Sequence, residues 1–276
     1  MAETRQREPK EPVPEPFLND RRLKYIGIAA SSLFTLVVVG FLGLILYAQV
    51  NVDRFINIIH PQFIDAFLVV LQIVLISSVL SVIGGVLVGL GRISETLPTR
   101  GIAKGYIEFF RGTPLLFQLI VIYSGIPAFW PPGQFPIQNF SIPAAIIGLT
   151  LNHSAYIGEA LRGGVEAVPD GQMEAARSLG MSYAQAMQEV VLPQAWRNAL
   201  AAIGNDQVIL VKDTSLLSVL AVPEIISTVQ NINSATFDIW TPILWAAILY
   251  LAITIPLGKF VRYLEARADP AGGRDR

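Results

Sequence analysis

Cysteine is absent from this 276-residue sequence, which excludes disulfide bonds, thiolate metal sites and cysteine nucleophiles. Histidine is almost absent, and the two that occur, His60 and His153, leave little room for a histidine-based metal site. No GxxxxGKS or GxxxxGKT run occurs, so the chain has no P-loop of its own with which to bind ATP. Charged residues make up only 15% of the chain and the net charge is −1, which gives no sign of nucleic-acid binding.

Hydrophobic residues dominate instead, at 53% of the chain, and the mean hydropathy is +0.52. A composition this apolar indicates that a lipid bilayer is the solvent. Six segments are predicted to span that bilayer, at 26–48, 63–90, 103–126, 142–162, 198–220 and 240–263, the fifth being the most polar. Residues 1–20 carry four prolines, mixed charge and almost nothing to bury, so they are predicted to be a disordered tail.

Basic residues set the predicted orientation of the spans, because short cytoplasmic loops retain lysine and arginine during insertion. On one side of the membrane, Arg54 is the only basic residue in the loops. The other side carries Arg21, Arg22, Lys24, Arg92, Arg100, Lys104, Arg177, Arg197, Arg262 and Arg267. Both termini and the long loop 164–196 are therefore predicted to be cytoplasmic. The first span lacks a signal-peptide cleavage pattern, so 21–62 is predicted to be a retained anchor with an outer loop.

The long inner loop has the pattern of two capped helices rather than of a linker. Asp170 is predicted to be an N-cap, and Gly180 is predicted to end the first helix as a left-handed C′ residue. Ser182 and Gln185 have the spacing of a capping box that opens a second helix. Pro193 is predicted to close that helix before the next span.

The pattern alone leaves two interpretations of this loop open. In the first, Ala175 and Ala176 form a small-residue face that enters a groove closely, while Met173, Leu179 and Met181 are apolar anchors for a partner protein. In the second, the two helices lie on the inner leaflet of the membrane as an amphipathic hairpin.

One motif distinguishes these interpretations. The sequence Glu-Ala-Ala, three residues, Gly, nine residues and then Ile-x-Leu-Pro marks the EAA loop of ABC importer permeases. This chain resembles it at Glu174, Ala175, Ala176, Gly180, Leu192 and Pro193, with Val190 in place of the usual isoleucine. Over about residues 63–266 the sequence is similar to the branch for polar amino acids, which includes histidine, glutamine and arginine permeases. The similar stretches are YIEFFRGTPLLFQLIVIYSG from Tyr106, NHSAYIGEALRGGVEAVPDGQ from Asn152 and LVKDTSLLSVLAVPE from Leu210.

The resemblance implies an all-α, polytopic protein of the bacterial inner membrane. Residues 63–266 would form the five-helix core of a type I ABC importer permease, preceded by one extra span and followed by a cytoplasmic tail at 267–276. The EAA loop would be the coupling helix that docks on a separate ATPase subunit. That subunit would hold ATP and magnesium, so this chain is expected to be no enzyme and to carry no cofactor. A second permease subunit, identical or similar, and an extracytoplasmic binding protein that delivers the amino acid complete the expected partners.

Polar residues inside the predicted spans are candidates for the substrate path, because ionisable groups in hydrocarbon usually face a bundle interior or water. They occupy two helix faces: Asn152, Tyr156 and Glu159 on one, and Asp206, Lys212 and Asp213, with Asn205, on the other. The alternative is that they pair with one another as salt bridges and helix–helix hydrogen bonds, or lie at span ends in the cytoplasmic interface. Arg162 is expected to turn to water at the membrane edge, which leaves Glu159 for the path, and Lys212 across the bundle is the structural partner that would remove Glu159 from it. His153 is predicted to be a hydrogen-bonded interior residue.

A weak point is predicted after Glu108 and Arg111, which have the i, i+3 spacing of a local ion pair. Pro114 lacks an N–H and its ring crowds the preceding turn, so Gly112-Thr113-Pro114 weakens the helix. Arg111, Thr113 and Pro114 are therefore candidates for gating. The alternative is a helix start that is displaced into the membrane.

Rival functions remain open beside an importer for polar amino acids. The first is an ABC permease for another small zwitterion, such as an osmolyte or an opine. The second is a secondary transporter that uses the intramembrane carboxylates for ion coupling, although no internal repeat supports an inverted-repeat architecture. An intramembrane enzyme is disfavoured, because no HExxH, paired GxGD carboxylates or Ser-His-Asp order occurs.

Overall fold

A computed structural model of the protein describes residues 20–57 and 61–268, and the described residues contain helices and no strand. The α-helices are α1 Asp20–Gln49, α2 Val52–Asn57, α3 Pro61–Ile93, α4 Leu97–Gly112, α5 Leu115–Ile120, α6 Ser141–Glu166, α7 Asp170–Ser178, α8 Tyr183–Ala186, α9 Leu192–Asp213, α10 Ile225–Thr236 and α11 Trp240–Ala268. The all-α prediction is confirmed. The predicted disordered tail, except Asp20, and His60 lie outside the described residues, as do positions 269–276.

Two compact units divide the chain, one up to Asn51 and one from Val52 onwards. The first unit contains α1, whose window Arg21–Gln49 is long and apolar enough to cross a membrane. The second contains α3 and α11, which also meet that description. The extra N-terminal span and the predicted spans 63–90 and 240–263 therefore coincide with helices of sufficient length and apolarity.

The predicted span 103–126 is broken at Gly112-Thr113-Pro114, the weak point that the sequence predicts. Helix α4 ends at Gly112, and the chain resumes after Pro114 in a helical segment that is bent by 104° from the first. The bend follows from the proline, which cannot continue the hydrogen-bond ladder of α4. Together the two pieces are long and apolar enough to form a fourth, broken span.

Helices α6 and α9 correspond to the two remaining predicted spans but fall short of that apolarity among the described residues. The lower apolarity of α6 follows from its position, because it packs along α3 on one side and along α9 on the other. A helix that is enclosed by protein can hold polar residues that a lipid-facing helix cannot. The count of six spans stays a prediction.

Small residues bring α3 and α6 close together. A Cβ added at Gly85 would lie 2.5 Å from the Cβ of Ile157, and one added at Gly158 would lie 2.9 Å from Val88. Both distances are shorter than van der Waals contact, so only glycine fits at these positions. Close backbone approach is the usual means by which membrane helices gain packing energy.

Glu224 links α10 to α11 between the predicted spans 198–220 and 240–263. It is fully buried and caps α10, accepting hydrogen bonds from the N–H groups of Ile226 at 2.8 Å and Ser227 at 2.7 Å. The hydroxyl of Tyr250 on α11 donates to the same carboxylate at 3.2 Å. Burial raises the pKa of Glu224 to about 6, and the two N–H donors oppose that rise.

Candidate functional site

The turn at Gly180 ends α7 as the sequence predicts. Gly180 has φ of +88°, in the left-handed region that favours glycine. Its N–H donates to the carbonyl of Arg177 at 3.0 Å, and the N–H of Met181 donates to the carbonyl of Ala176 at 3.2 Å. These two bonds form a Schellman motif, which satisfies the last carbonyls of the helix.

The capping box that opens α8 is also confirmed. The hydroxyl of Ser182 accepts from the backbone N–H of Gln185 at 3.2 Å, and the side chain of Gln185 accepts from the backbone N–H of Ser182 at 2.9 Å. The loop is therefore two helical segments whose relative angle is fixed by one glycine and one reciprocal cap.

Two predicted boundaries of the loop are wrong. Asp170 is the first residue of α7 rather than its N-cap, a position that Pro169 occupies. Pro193 does not close the second helix, because α8 continues through a π turn at Met187–Val191 into α9, where Pro193 lies in the first turn. A π turn is wider than an α-helical turn, so it relieves the clash that proline makes with the preceding turn.

One side of the loop packs against the rest of the chain. Val168, Val191 and Ala195 form a small core, against which Met173 and Met187 pack. Met173 is half-buried against the protein's own core, and its role as an anchor for a partner stays a prediction. Ala176, at 4% exposure, is also buried in the chain rather than presented on a free face.

The other side of the loop is open. Glu174 and Ala175 are exposed on α7, and Leu179 just after it is 82% exposed. A large aliphatic side chain so exposed beside a rigid turn is available as an apolar contact for the groove of a partner. The spacing of the motif thus places part of its residues inward, where they hold the loop, and part outward.

The loop is fixed to the two helices that flank it. A Cβ at Gly164 on α6 would collide with the carbonyl oxygen of Ala195 on α9, so the two backbones touch there. The amide of Asn198 donates to the carbonyl of Gly164 at 3.2 Å. Gln194 donates to Gln172 on α7 at 3.2 Å, which attaches the first loop helix to α9.

Deeper in the bundle, His153 joins α6 to α9, and its predicted place as a hydrogen-bonded interior residue is confirmed. Its side chain is 1% exposed, and Nδ1 lies 3.1 Å from each carboxylate oxygen of Asp206. Nε2 lies 3.5 Å from Asp213. The columns of α9 differ accordingly: Asp206 and Asp213 face α6, whereas Asn205 and Lys212 are exposed on this chain.

Glu159 has two cations beside it, which the sequence analysis did not expect. Arg162 donates to both carboxylate oxygens, at 2.8 and 3.0 Å, and Arg111 of α4 lies at 3.6 Å. Arg162 folds back along its own helix instead of turning to water, because its long stem reaches i−3 and its guanidinium fits a carboxylate in bidentate fashion. The predicted alternative of Lys212 as the partner of Glu159 is therefore wrong.

Arg111 is not paired with Glu108 either. Glu108 lies 3.6 Å from Lys104, one turn earlier on α4, whereas the guanidinium of Arg111 reaches across to α6. There it lies over the ring of Tyr156, at 5.4 Å from the ring centre. Tyr156 and Glu159 on α6 and Arg111 on α4 thus form one polar cluster that spans two helices.

The break between α4 and α5 is held by two side-chain amides. Gln118 donates to the carbonyl of Phe110 at 2.9 Å and to that of Thr113 at 3.0 Å. Asn152 of α6 donates to Phe110 at 3.2 Å and to the side-chain oxygen of Gln118 at 2.9 Å. These bonds satisfy backbone carbonyls that the proline leaves without partners. Gln118 was missed by the sequence analysis, although a glutamine inside the apolar run LLFQLIVIY marks it.

Comparison with known proteins places these features in a family context. Residues 81–270 match the family described as binding-protein-dependent transport system inner membrane component. The arginine transport system permease protein ArtQ of Bacillus subtilis strain 168 is 33% identical over 207 residues, which cover 75% of this chain and 92% of that protein. The probable glutamine ABC transporter permease protein GlnM of the same organism is 36% identical over 199 residues, covering 71% and 89%. The nopaline transport system permease protein NocM of Agrobacterium fabrum is 34% identical over 221 residues, covering 76% and 89%.

Solved structures agree with the sequence comparison. A crystal structure of an amino acid ABC transporter with histidines matches with a TM-score of 0.72 and 33% identity, covering 79% of this chain and 99% of that one. The MetNI methionine ABC transporter in an inward-facing conformation matches with a TM-score of 0.56 over 73% of this chain and 95% of that one. At 17% identity the second likeness concerns the fold alone.

Proposed function

This chain belongs to the family of binding-protein-dependent transport system inner membrane components, and from that membership we propose that it is the permease subunit of an ATP-driven importer for polar amino acids. Its fold is that of a type I ABC importer permease. The printed names of similar proteins include arginine and glutamine permeases, whose cargoes are polar amino acids. The nopaline permease NocM is similar to this chain at a comparable identity. An opine or another small zwitterion is therefore the second candidate cargo.

The observation that carries the proposal is the ordered loop between α6 and α9. A linker would need neither the Schellman turn at Gly180 nor the capping box at Ser182, and both fix the direction of the outward side. That side presents Leu179 and Glu174 as a small, rigid docking surface. The partner is an ATPase subunit, which supplies ATP and magnesium, while the permease supplies the path.

The remaining partners follow from the same proposal. An ATPase dimer offers two docking clefts and this chain has one EAA loop, so two permease subunits are required, either identical or similar. An extracytoplasmic binding protein delivers the amino acid to the outer side. The mixed cation–carboxylate cluster of Arg111, Tyr156 and Glu159, together with Lys212 and Asp213, lines the path. Asn152 and Asp206, whose polar atoms bond to protein partners, shape its wall.

We expect uptake by the reconstituted complex to depend on ATP hydrolysis. Proteoliposomes with the permease, its ATPase subunit and binding protein would be offered labelled arginine, glutamine, glutamate, nopaline and glycine betaine. Uptake of a polar amino acid that stops with an ATPase-inactive partner and persists with ionophores supports the proposal. Uptake that survives without ATP on an ion gradient contradicts it, and preference for nopaline or glycine betaine selects the second cargo.

The positive-inside pattern leads us to expect both termini in the cytoplasm. A reporter that is active only in the cytoplasm should work when it is fused after Arg267. The matched control is the same reporter inserted after Gly133, which lies in the segment between α5 and α6 and is expected on the outer side. Reporter activity at the control site and inactivity after Arg267 would show that the topology is the opposite of the predicted one.

A further inference from the structure

Helices α6 and α9, which flank the coupling loop, are joined at two levels. At the base of the loop, Gly164 touches Ala195 and accepts a hydrogen bond from Asn198. About three turns earlier on α6, His153 bonds to Asp206 while it is almost completely buried. A buried polar pair cannot slip without leaving a carboxylate unpaired in an apolar setting, which is strongly destabilising. Between these two levels the helices therefore resist sliding past each other.

The residue next to His153 makes the connection to the broken helix. Asn152 donates to the carbonyl of Phe110 at the end of α4 and to the side chain of Gln118 on α5. Consecutive residues of an α-helix point about 100° apart, so one short stretch of α6 holds α9 on one side and the break on another. The same Gln118 also bonds to Thr113 inside the break.

We propose that Asn152 and His153 form a joint that transmits movement of the coupling loop to the break between α4 and α5. The inference rests on the proposed function, because it takes the loop to be moved by the ATPase. Displacement of the loop carries α9 and α6 together through His153, and Asn152 then changes the angle at the break through Gln118. These are positioning residues, since they act on the path through the backbone of α4 and α5. Packed helices and hydrogen-bonded side chains are a physical means of such coupling.

A role in stabilising the bundle alone would give the same hydrogen bonds. The variants must therefore separate a loss of coupling from a loss of stability. Gln118→Met removes the amide that holds the break at nearly constant side-chain volume, and His153→Leu removes the link to α9. His153→Gln keeps a donor for Asp206 and serves as the conservative rescue. The matched control is Ser154→Ala, because Ser154 is buried on the same helix but donates to Ser81 of α3 at 3.3 Å.

The absence of cysteine in the natural sequence makes site-directed labelling direct. Spin labels at Phe117→Cys on α5 and Ile102→Cys on α4, both exposed positions, report the angle at the break. Distances would be measured in the complete complex without nucleotide and with ATP trapped. Uptake per ATP hydrolysed and the thermal unfolding midpoint would be measured on the same samples.

We expect the labelled complex with no further substitution, and the labelled Ser154→Ala complex, to show a nucleotide-dependent change in the distance between the two labels. Gln118→Met and His153→Leu should lose that change, and their uptake per ATP should fall about tenfold, a usual size for coupling between two sites. His153→Gln should restore most of the distance change and most of the uptake per ATP.

The joint is overturned if the distance change and the uptake per ATP persist in Gln118→Met and in His153→Leu. It is also overturned if Ser154→Ala loses both to the same extent as these variants. If the wild-type complex shows no ATP-driven uptake, the proposed function itself fails. If His153→Leu does not assemble, Gln118→Met and His153→Gln decide the matter.

Discussion

Replacement of Gly180 by leucine is expected to lower uptake at least about tenfold while the subunit still inserts and assembles in the membrane. The backbone at Gly180 has φ of +88°, which costs a residue with a branched side chain about 1–2 kcal/mol. No atom lies within 4 Å of a Cβ at this position, so the effect comes from backbone conformation and not from a clash. The chain relieves that strain by changing the turn, which alters the angle between α7 and α8 and moves Leu179 away from its place on the proposed docking surface for the ATPase.

The measurement is substrate-stimulated ATPase activity and uptake by the reconstituted complex, and we expect both to fall at least about tenfold, equal to ~1.4 kcal/mol of lost docking energy. Two controls isolate the cause. Gly180→Asn should retain most activity, because asparagine tolerates the left-handed region. Gly133→Leu imposes the same kind of strain at φ of +78° in the segment between α5 and α6, far along the chain from the loop. If Gly180→Leu kept wild-type uptake and substrate-stimulated ATPase activity, this turn would have no role in docking.

Replacement of Glu159 by glutamine is expected to change substrate handling by about tenfold, with little loss of stability. The change removes one charge at nearly constant volume. Arg162 keeps Glu166 as a second carboxylate partner, and Arg111 is partly exposed, so neither cation is left buried and unpaired. Partly exposed ion pairs of this kind contribute about 1 kcal/mol or less. The proposed substrate path, in contrast, loses a carboxylate within reach of an amino acid's ammonium group.

Affinity and selectivity for arginine, glutamine and glutamate would be compared with the thermal unfolding midpoint of the same complex. Glu166→Gln is the matched control, since it removes the other partner of Arg162 at a more exposed position outside the predicted span. Both variants should unfold at similar temperatures, and only Glu159→Gln should alter selectivity. A large stability loss in Glu159→Gln that is reversed by adding Arg111→Gln, with selectivity unchanged, would assign Glu159 to structure alone.

Local rules were sufficient where a feature depends on a few neighbouring residues. The turn at Gly180 and the cap formed by Ser182 and Gln185 need only backbone geometry and side-chain reach within four positions, so their spacing in the sequence predicts them. The break at Pro114 follows from proline chemistry in the same way. The bend of 104° does not, because its size depends on what packs around the two pieces.

Tertiary contacts explain what the sequence could not provide. Arg111 leaves its i−3 neighbour for Glu159, a residue 48 positions away, because α4 and α6 lie side by side. Met173 fits the spacing of an outward anchor, yet it packs beneath the loop once α9 closes that side. The role of Gln118 depends on Asn152 of another helix. Helical periodicity identifies a face, but only packing decides which faces meet.

The π turn at Met187–Val191 sets the direction in which the proposed coupling loop projects from α9. Because a π turn contains one residue more than the α-helical pattern, the chain on its far side is rotated by about 100° relative to an uninterrupted helix. Loss of a single residue there would allow α8 and α9 to merge into one regular helix, with every local cap still intact. The exposed side of α7 would then point roughly a quarter-turn away from its present direction. The direction of the loop is thus encoded by the number of residues in the π turn.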